Sequence, residues 1–100
     1  MTIPLTVVIA ARNEAHNIAD CVASVAFAGE ILVVENGSSD DTAALARGAG
    51  AMVISNPFQT IGMQRNFAIE RAANPWILVV DADERGSPEL GEEIARLIRD

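Results

Sequence analysis

Short apolar runs alternate along the chain with stretches in which apolar residues recur every three or four positions. Leu5 to Ala10 is apolar apart from Thr6, breaks at Arg12-Asn13-Glu14, and gives way to Ile18, Val22 and Val25 at helical spacing. Ile31 to Val34 repeats the strand signal, followed by a turn-rich break over Glu35 to Asp40 and an alanine-rich helix over Asp41 to Gly50, whose glycines stop it. Ala51 to Ser55 predicts a third strand, Asn56-Pro57 a turn, and Met63 to Ala73 a helix. Asn74-Pro75 closes that helix, because proline disfavours helical geometry in the residue before it. Trp76 to Val80 predicts a fourth strand. After an acidic break, Ser87-Pro88 has the form of an N-cap with proline at the first helical position, and Leu90, Ile94, Leu97 and Ile98 make one apolar stripe.

Strands apolar on both faces and separated by amphipathic helices predict a mostly parallel sheet covered on each side, a three-layer α/β sandwich. Ligands of such sheets sit beyond the carboxyl ends of the strands. The polar breaks at residues 11–14, 35–40 and 81–83 all fall there, so three acidic loops share one rim. The last is the most telling. Trp76-Ile77-Leu78-Val79-Val80 delivers Asp81 and Asp83, one residue apart, where the strand must end. Alternate side chains of a strand share a side, so both carboxylates can converge on one hard divalent cation carrying phosphate oxygens.

Composition narrows the partners. The 100 residues are 50% hydrophobic with a net charge of −7, enough for one globular domain with a small core. All seven basic residues are arginines and none form a run, which argues against nucleic acid. The single cysteine, Cys21, permits no internal disulfide, fits a reducing compartment and falls among apolar residues of a helix, where core packing is expected of it. No basic N-terminal region precedes a long apolar stretch, and no apolar run has the length of a membrane span. The chain reads as cytoplasmic, with a peripheral position at the inner face of a membrane left open. His16, without His or Cys at ligand spacing, is expected on the surface. Arg47, Arg71, Arg96 and Arg99 are expected to cover helices, Trp76 to sit in the core, and Met52 and Met63 to fill gaps.

Val7-Val8-Ile9-Ala10-Ala11-Arg12-Asn13-Glu14, then Val33-Val34-Glu35-Asn36-Gly37-Ser38-Ser39-Asp40-Asp41-Thr42, then Asp81-Ala82-Asp83 resemble the successive signatures of family 2 glycosyltransferases of the GT-A, Rossmann-like fold, in order and spacing. Gly62-Met63-Gln64-Arg65-Asn66-Phe67-Ala68 is similar to the subgroup that includes bacterial lipopolysaccharide-core β-glucosyltransferases. The resemblance implies that Ala11, Glu14, Glu35 and Asn36 hold the uracil and ribose of a UDP-sugar, with Arg65 near the nucleotide. Asp40 and Thr42 would shape the second loop and start the next helix. Asp81 and Asp83 resemble the family's DxD, with Asp81 toward ribose or metal and Asp83 on a Mg²⁺ or Mn²⁺ ion that bridges the diphosphate. It further implies a single, inverting displacement onto a glycan or lipid-linked acceptor. Glu35-Asn36 departs from the usual aspartates, and glutamate reaches one methylene further, so thymidine or guanosine diphosphate sugars stay open beside uridine.

Family members carry acceptor contacts and a general base beyond the metal motif, so residues 1–100 read as the N-terminal, donor-binding half of a longer enzyme. No catalytic base is assigned; it is expected beyond Asp100, and the chain alone is expected to be inactive. Glu84 reads as a solvated or helix-start charge instead. An open sheet edge would favour a homodimer or domain swap. Two other classes compete: a sugar nucleotidyltransferase, which would show a glycine- and arginine-rich phosphate loop where Arg12-Asn13-Glu14 stands, and a non-catalytic nucleotide-binding or assembly module.

Overall fold

The computed structural model describes residues 2–57 and 60–99. Four strands and four helices alternate: β1 (Ile3–Ala11), α1 (Ile18–Ser24), β2 (Ala28–Glu35), α2 (Thr42–Gly48), β3 (Met52–Ser55), α3 (Ile61–Arg71), β4 (Trp76–Asp81) and α4 (Pro88–Arg99). All strand pairs are parallel, in the order β3-β2-β1-β4. The chain therefore builds outward from β1 to β3, then crosses back through α3 to lay β4 on the other edge of β1. No helix among the described residues is long and apolar enough to cross a membrane.

Alternation along β1 makes the three layers. Leu5, Val7, Ile9 and Ala11 join a core completed by Ile18, Cys21, Val22 and Val25 of the α1 region, Ala46 of α2 and Ile94 and Ile98 of α4. On the other face, Val8 packs with Leu32, Val34 and Ala68, under Phe67 of α3. Val7, Val8 and Ile9 are fully buried, and each such side chain contributes about 1.5–3 kcal/mol by leaving water. β1 is the strand the rest of the molecule wraps.

Element ends differ from the pattern where side chains intervene. α3 starts two residues earlier than the apolar spacing predicts, because the Thr60 hydroxyl accepts the Met63 N–H (3.2 Å) and caps the helix. It ends at Arg71, since Ala72 is already extended. The Ser87 hydroxyl accepts the Leu90 N–H (3.1 Å), the cap expected ahead of Pro88.

Four side chains correct the sequence reading. Trp76 is 51% exposed, because it begins the edge strand β4, which pairs only with β1 among the described residues. Met52, on the opposite edge strand, and Met63, on the outer side of α3, are exposed and fill no gap. Leu97 is 67% exposed. A Cβ on Gly91 would lie 2.8 Å from the Phe27 ring, so α4 packs tightly against Phe27 at Gly91. That contact sets its inner face along Gly91, Ile94 and Ile98 and turns Leu97 out. His16 and Arg47 are exposed as expected, and Arg71 stacks over the ring of Phe67 at 3.5 Å.

Candidate active site

Two loops at the carboxyl end of the sheet are stitched together before any ligand is considered. After β1, Asn13 takes a left-handed backbone (φ 53°), which asparagine tolerates better than most residues. Its N–H donates to the Ser38 hydroxyl (2.9 Å), and its side-chain oxygen accepts the Ser39 N–H (2.8 Å). One residue on, the Glu14 N–H donates to Thr42 Oγ1 (2.9 Å). Asp40 completes the seam: its carboxylate accepts the Thr42 hydroxyl, the Thr42 N–H (3.1 Å) and the Ala15 N–H (3.2 Å). The Thr42 hydroxyl, followed by these amides, holds the Asp40 carboxyl below its ordinary pKa. Asp40 and Thr42 thus shape the turn as expected, but the Thr42 hydroxyl supports the neighbouring loop and not its own helix.

The expected base-binding residues separate into two levels. Ala11 is buried, and its carbonyl accepts the Asn36 N–H (3.0 Å), so both loops leave the sheet together. Glu35 is also buried, and its carboxylate accepts the N–H groups of Gly37 (3.2 Å) and Ser38. Its charge therefore shapes the turn from beneath, where Gly37 supplies a positive φ of 68°. Ala11 and Asn36 line a small recess of about 140 Å³ with Ala10, Arg12, Ile61 and Gln64.

Beside that recess lies the larger cleft, about 400 Å³, lined by Ala10, Arg12, Glu14, Ile61, Arg65, Asp81, Ala82 and Asp83. Ala10, Arg12 and Ile61 belong to both, so the two form one groove along the ends of β1 and β4 and the start of α3. Asp81 is the last residue of β4. Its N–H donates to the Glu84 carboxylate (2.7 Å), its carbonyl accepts the Glu84 N–H (2.9 Å), and the Cys21 thiol also donates to that carbonyl (3.5 Å). Strand alternation ends at Asp81, and it is this turn, anchored by buried Ala82, that brings Asp83 into the same cleft. Glu84 is committed to the turn. Burial raises the pKa of Cys21 and the thiol packs in the core, as expected.

Opposite the acids, Arg65 Nη2 lies 2.7 Å from Asp81 Oδ1. Arg12 lines both parts of the groove and makes no hydrogen bond or ion pair with a described residue. Sequence reasoning did not single out Arg12, although it is the one cation within the three acidic rim loops up to Asp83. Among the described residues, no three His, Cys, Asp or Glu side chains gather closely enough to hold a metal by themselves. A cation placed on Asp81 and Asp83 would complete its shell from phosphate oxygens and water, the habit of Mg²⁺ in substrate complexes. The residues fit such an ion.

The family model for glycosyl transferase family 2 matches residues 6–100. An uncharacterized glycosyltransferase of Rickettsia felis is 44% identical over 84 residues, covering 83% of this chain and 30% of the relative. The lipopolysaccharide core biosynthesis glycosyltransferase LpsC of Rhizobium meliloti is 33% identical, covering 96% of this chain and 37% of its own length. The chain thus spans about a third of the curated relatives it matches. Among solved structures, glucosyl-3-phosphoglycerate synthase of Mycobacterium tuberculosis superposes with a TM-score of 0.69 at 24% identity, over 80% of this chain and 34% of that one. The same enzyme in complex with Mn²⁺, UDP and glucosyl-3-phosphoglycerate gives 0.67 at 23% identity, over 78% and 33%. These likenesses show the GT-A nucleotide-sugar transferase fold expected from the sequence.

Proposed function

Because the chain belongs to glycosyl transferase family 2, we propose that its groove is the donor side of a glycosyltransferase, binding the diphosphate of a UDP-sugar together with Mg²⁺ or Mn²⁺. The observation that carries this reading is the single cleft that Asp81 at the end of β4 and Asp83 in the turn after it share with Arg12 and Glu14 of the loop after β1 and Arg65 of α3. Asp83 and Asp81 would hold the ion. When bound, such an ion supplies Lewis-acid stabilisation of the charge that develops on the departing diphosphate. Arg12 and Arg65 supply guanidinium donors suited to phosphate oxygens. The adjoining recess takes the nucleoside, with Asn36 and Ala11 at its wall and Glu35 supporting the turn from below. Glu14 faces the ribose end of the cleft.

The ligands named with the structural neighbour, UDP and Mn²⁺, support this assignment, as does the name of the LpsC relative for a glycan acceptor of lipopolysaccharide type. In the longer protein the sugar would pass to that acceptor with inversion. Glu84 is not the base in this scheme, since its carboxylate is held on the Asp81 N–H.

A ligand that binds only the native state stabilises it by mass action, about 2.7 kcal/mol at a hundredfold excess over Kd. UDP with Mn²⁺ is therefore expected to raise the melting temperature of this chain by roughly 10 °C or more, and uridine with Mn²⁺ to raise it far less. An unchanged melting temperature with UDP and Mn²⁺ together would refute the donor site.

A further inference from the structure

The charges of the cleft are unequally committed. Arg65 is bonded to Asp81 at 2.7 Å, with the two side chains 35% and 53% exposed. Asp83 and Arg12 make no hydrogen bond or ion pair with a described residue. A cation arriving at Asp81 and Asp83 would meet a guanidinium already on one of its two carboxylates. A diphosphate arriving without a cation would meet Glu14, Asp81 and Asp83 with one of the two arginines turned away. Each ligand alone is opposed by the present pairing.

We propose that Arg65 is an exchange residue: it neutralises Asp81 until ligands arrive, then transfers to the diphosphate as the divalent cation takes over the carboxylate. This rests on the donor-site reading and adds to it a change of partner by one side chain. The geometry permits the transfer. Arg65 stands one turn after Ile61 on α3 and lines the same cleft as Arg12 and both acids. The bond to Asp81 uses one of the guanidinium's five N–H donors. Exchange makes the two ligands interdependent, because each removes the penalty the other would face. Such coupling is reciprocal, and factors of about 5 to 150 are usual.

The test is Mn²⁺ binding, read from the paramagnetic resonance signal of the free ion, with and without UDP, in the native chain, Arg65→Gln, Arg65→Lys and Arg71→Gln. Arg71 serves as control because it sits on Phe67 and Glu70, outside the cleft. In the native chain UDP should tighten Mn²⁺ binding by about fivefold or more. Arg65→Gln should bind Mn²⁺ alone about two- to fivefold tighter, the range of an exposed ion pair, and its tightening by UDP should fall by about that factor, leaving only what the diphosphate oxygens give by direct contact with the ion. Arg65→Lys should keep an intermediate coupling and decides the matter if the glutamine variant fails to fold. Arg71→Gln should behave as native. If Arg65→Gln changes Mn²⁺ affinity by the same factor with and without UDP, the exchange is wrong and the pair is only a local charge. If the native chain does not bind UDP with Mn²⁺ at all, the donor-site reading itself falls.

Discussion

Asp40 joins two rim loops with one carboxylate, accepting from Thr42 and Ala15 at once. Its pKa is lowered in the folded protein, chiefly by the Thr42 hydroxyl. A group with a depressed folded pKa contributes stability that is present above its unfolded value and lost as the pH falls through the folded one. Asp40→Asn is therefore expected to melt at a lower temperature than the native chain at neutral pH, with the gap closing as the pH drops below the ordinary aspartate value of 3.8. A gap that stays constant across acid titration would contradict the seam. At this scale the sequence was half legible. Glu14 and Arg65 came from the family resemblance, whereas Asp81 and Asp83 could be chosen because two acids one residue apart end an apolar strand. Arg12 and the Asn13–Ser38–Ser39 bonds could not, since they exist only once two loops 25 residues apart are brought together. Glu35, expected at the nucleoside, accepts N–H groups of its own turn, a use open to a carboxylate two residues before a glycine.

Elements were legible in kind and less so in their ends and facings. Periodicity separates strand from helix for every element here, yet α3 begins where Thr60 caps it, and the inner face of α4 is set by its approach to Phe27 at Gly91. Two glycines make the second point measurable. Gly91→Ala gains about 1 kcal/mol of helix propensity but forces a methyl to within 2.8 Å of the Phe27 ring; overpacking costs about 1–3 kcal/mol, so a net loss is expected in urea unfolding. Gly62→Ala, in α3 where an added Cβ would meet nothing within 4 Å among the described residues, should instead stabilise by about 0.5 kcal/mol. Equal effects of the two substitutions would show that α4 does not pack through Gly91.

The whole molecule turns on strand order, which periodicity alone does not contain. Four parallel strands and their helices could be read from the sequence, but that β4 lies beside β1, and not beyond β3, is a property of the assembled sheet. That placement carries Asp81 alongside Ala10 and so sets the acid pair against the loop of Arg12 and Glu14. Resemblance supplied the site before the topology explained it. The central claim is that this juxtaposition binds a metal-chelated nucleoside diphosphate, and calorimetric titration of UDP into the native chain and Asp83→Ala, each with and without Mn²⁺, tests it most directly. We expect heat of binding that requires Mn²⁺ in the native chain and disappears in the variant, a loss of at least about tenfold in affinity or roughly 1.4 kcal/mol. Equal affinity for UDP in the two proteins, or binding indifferent to Mn²⁺, would contradict it.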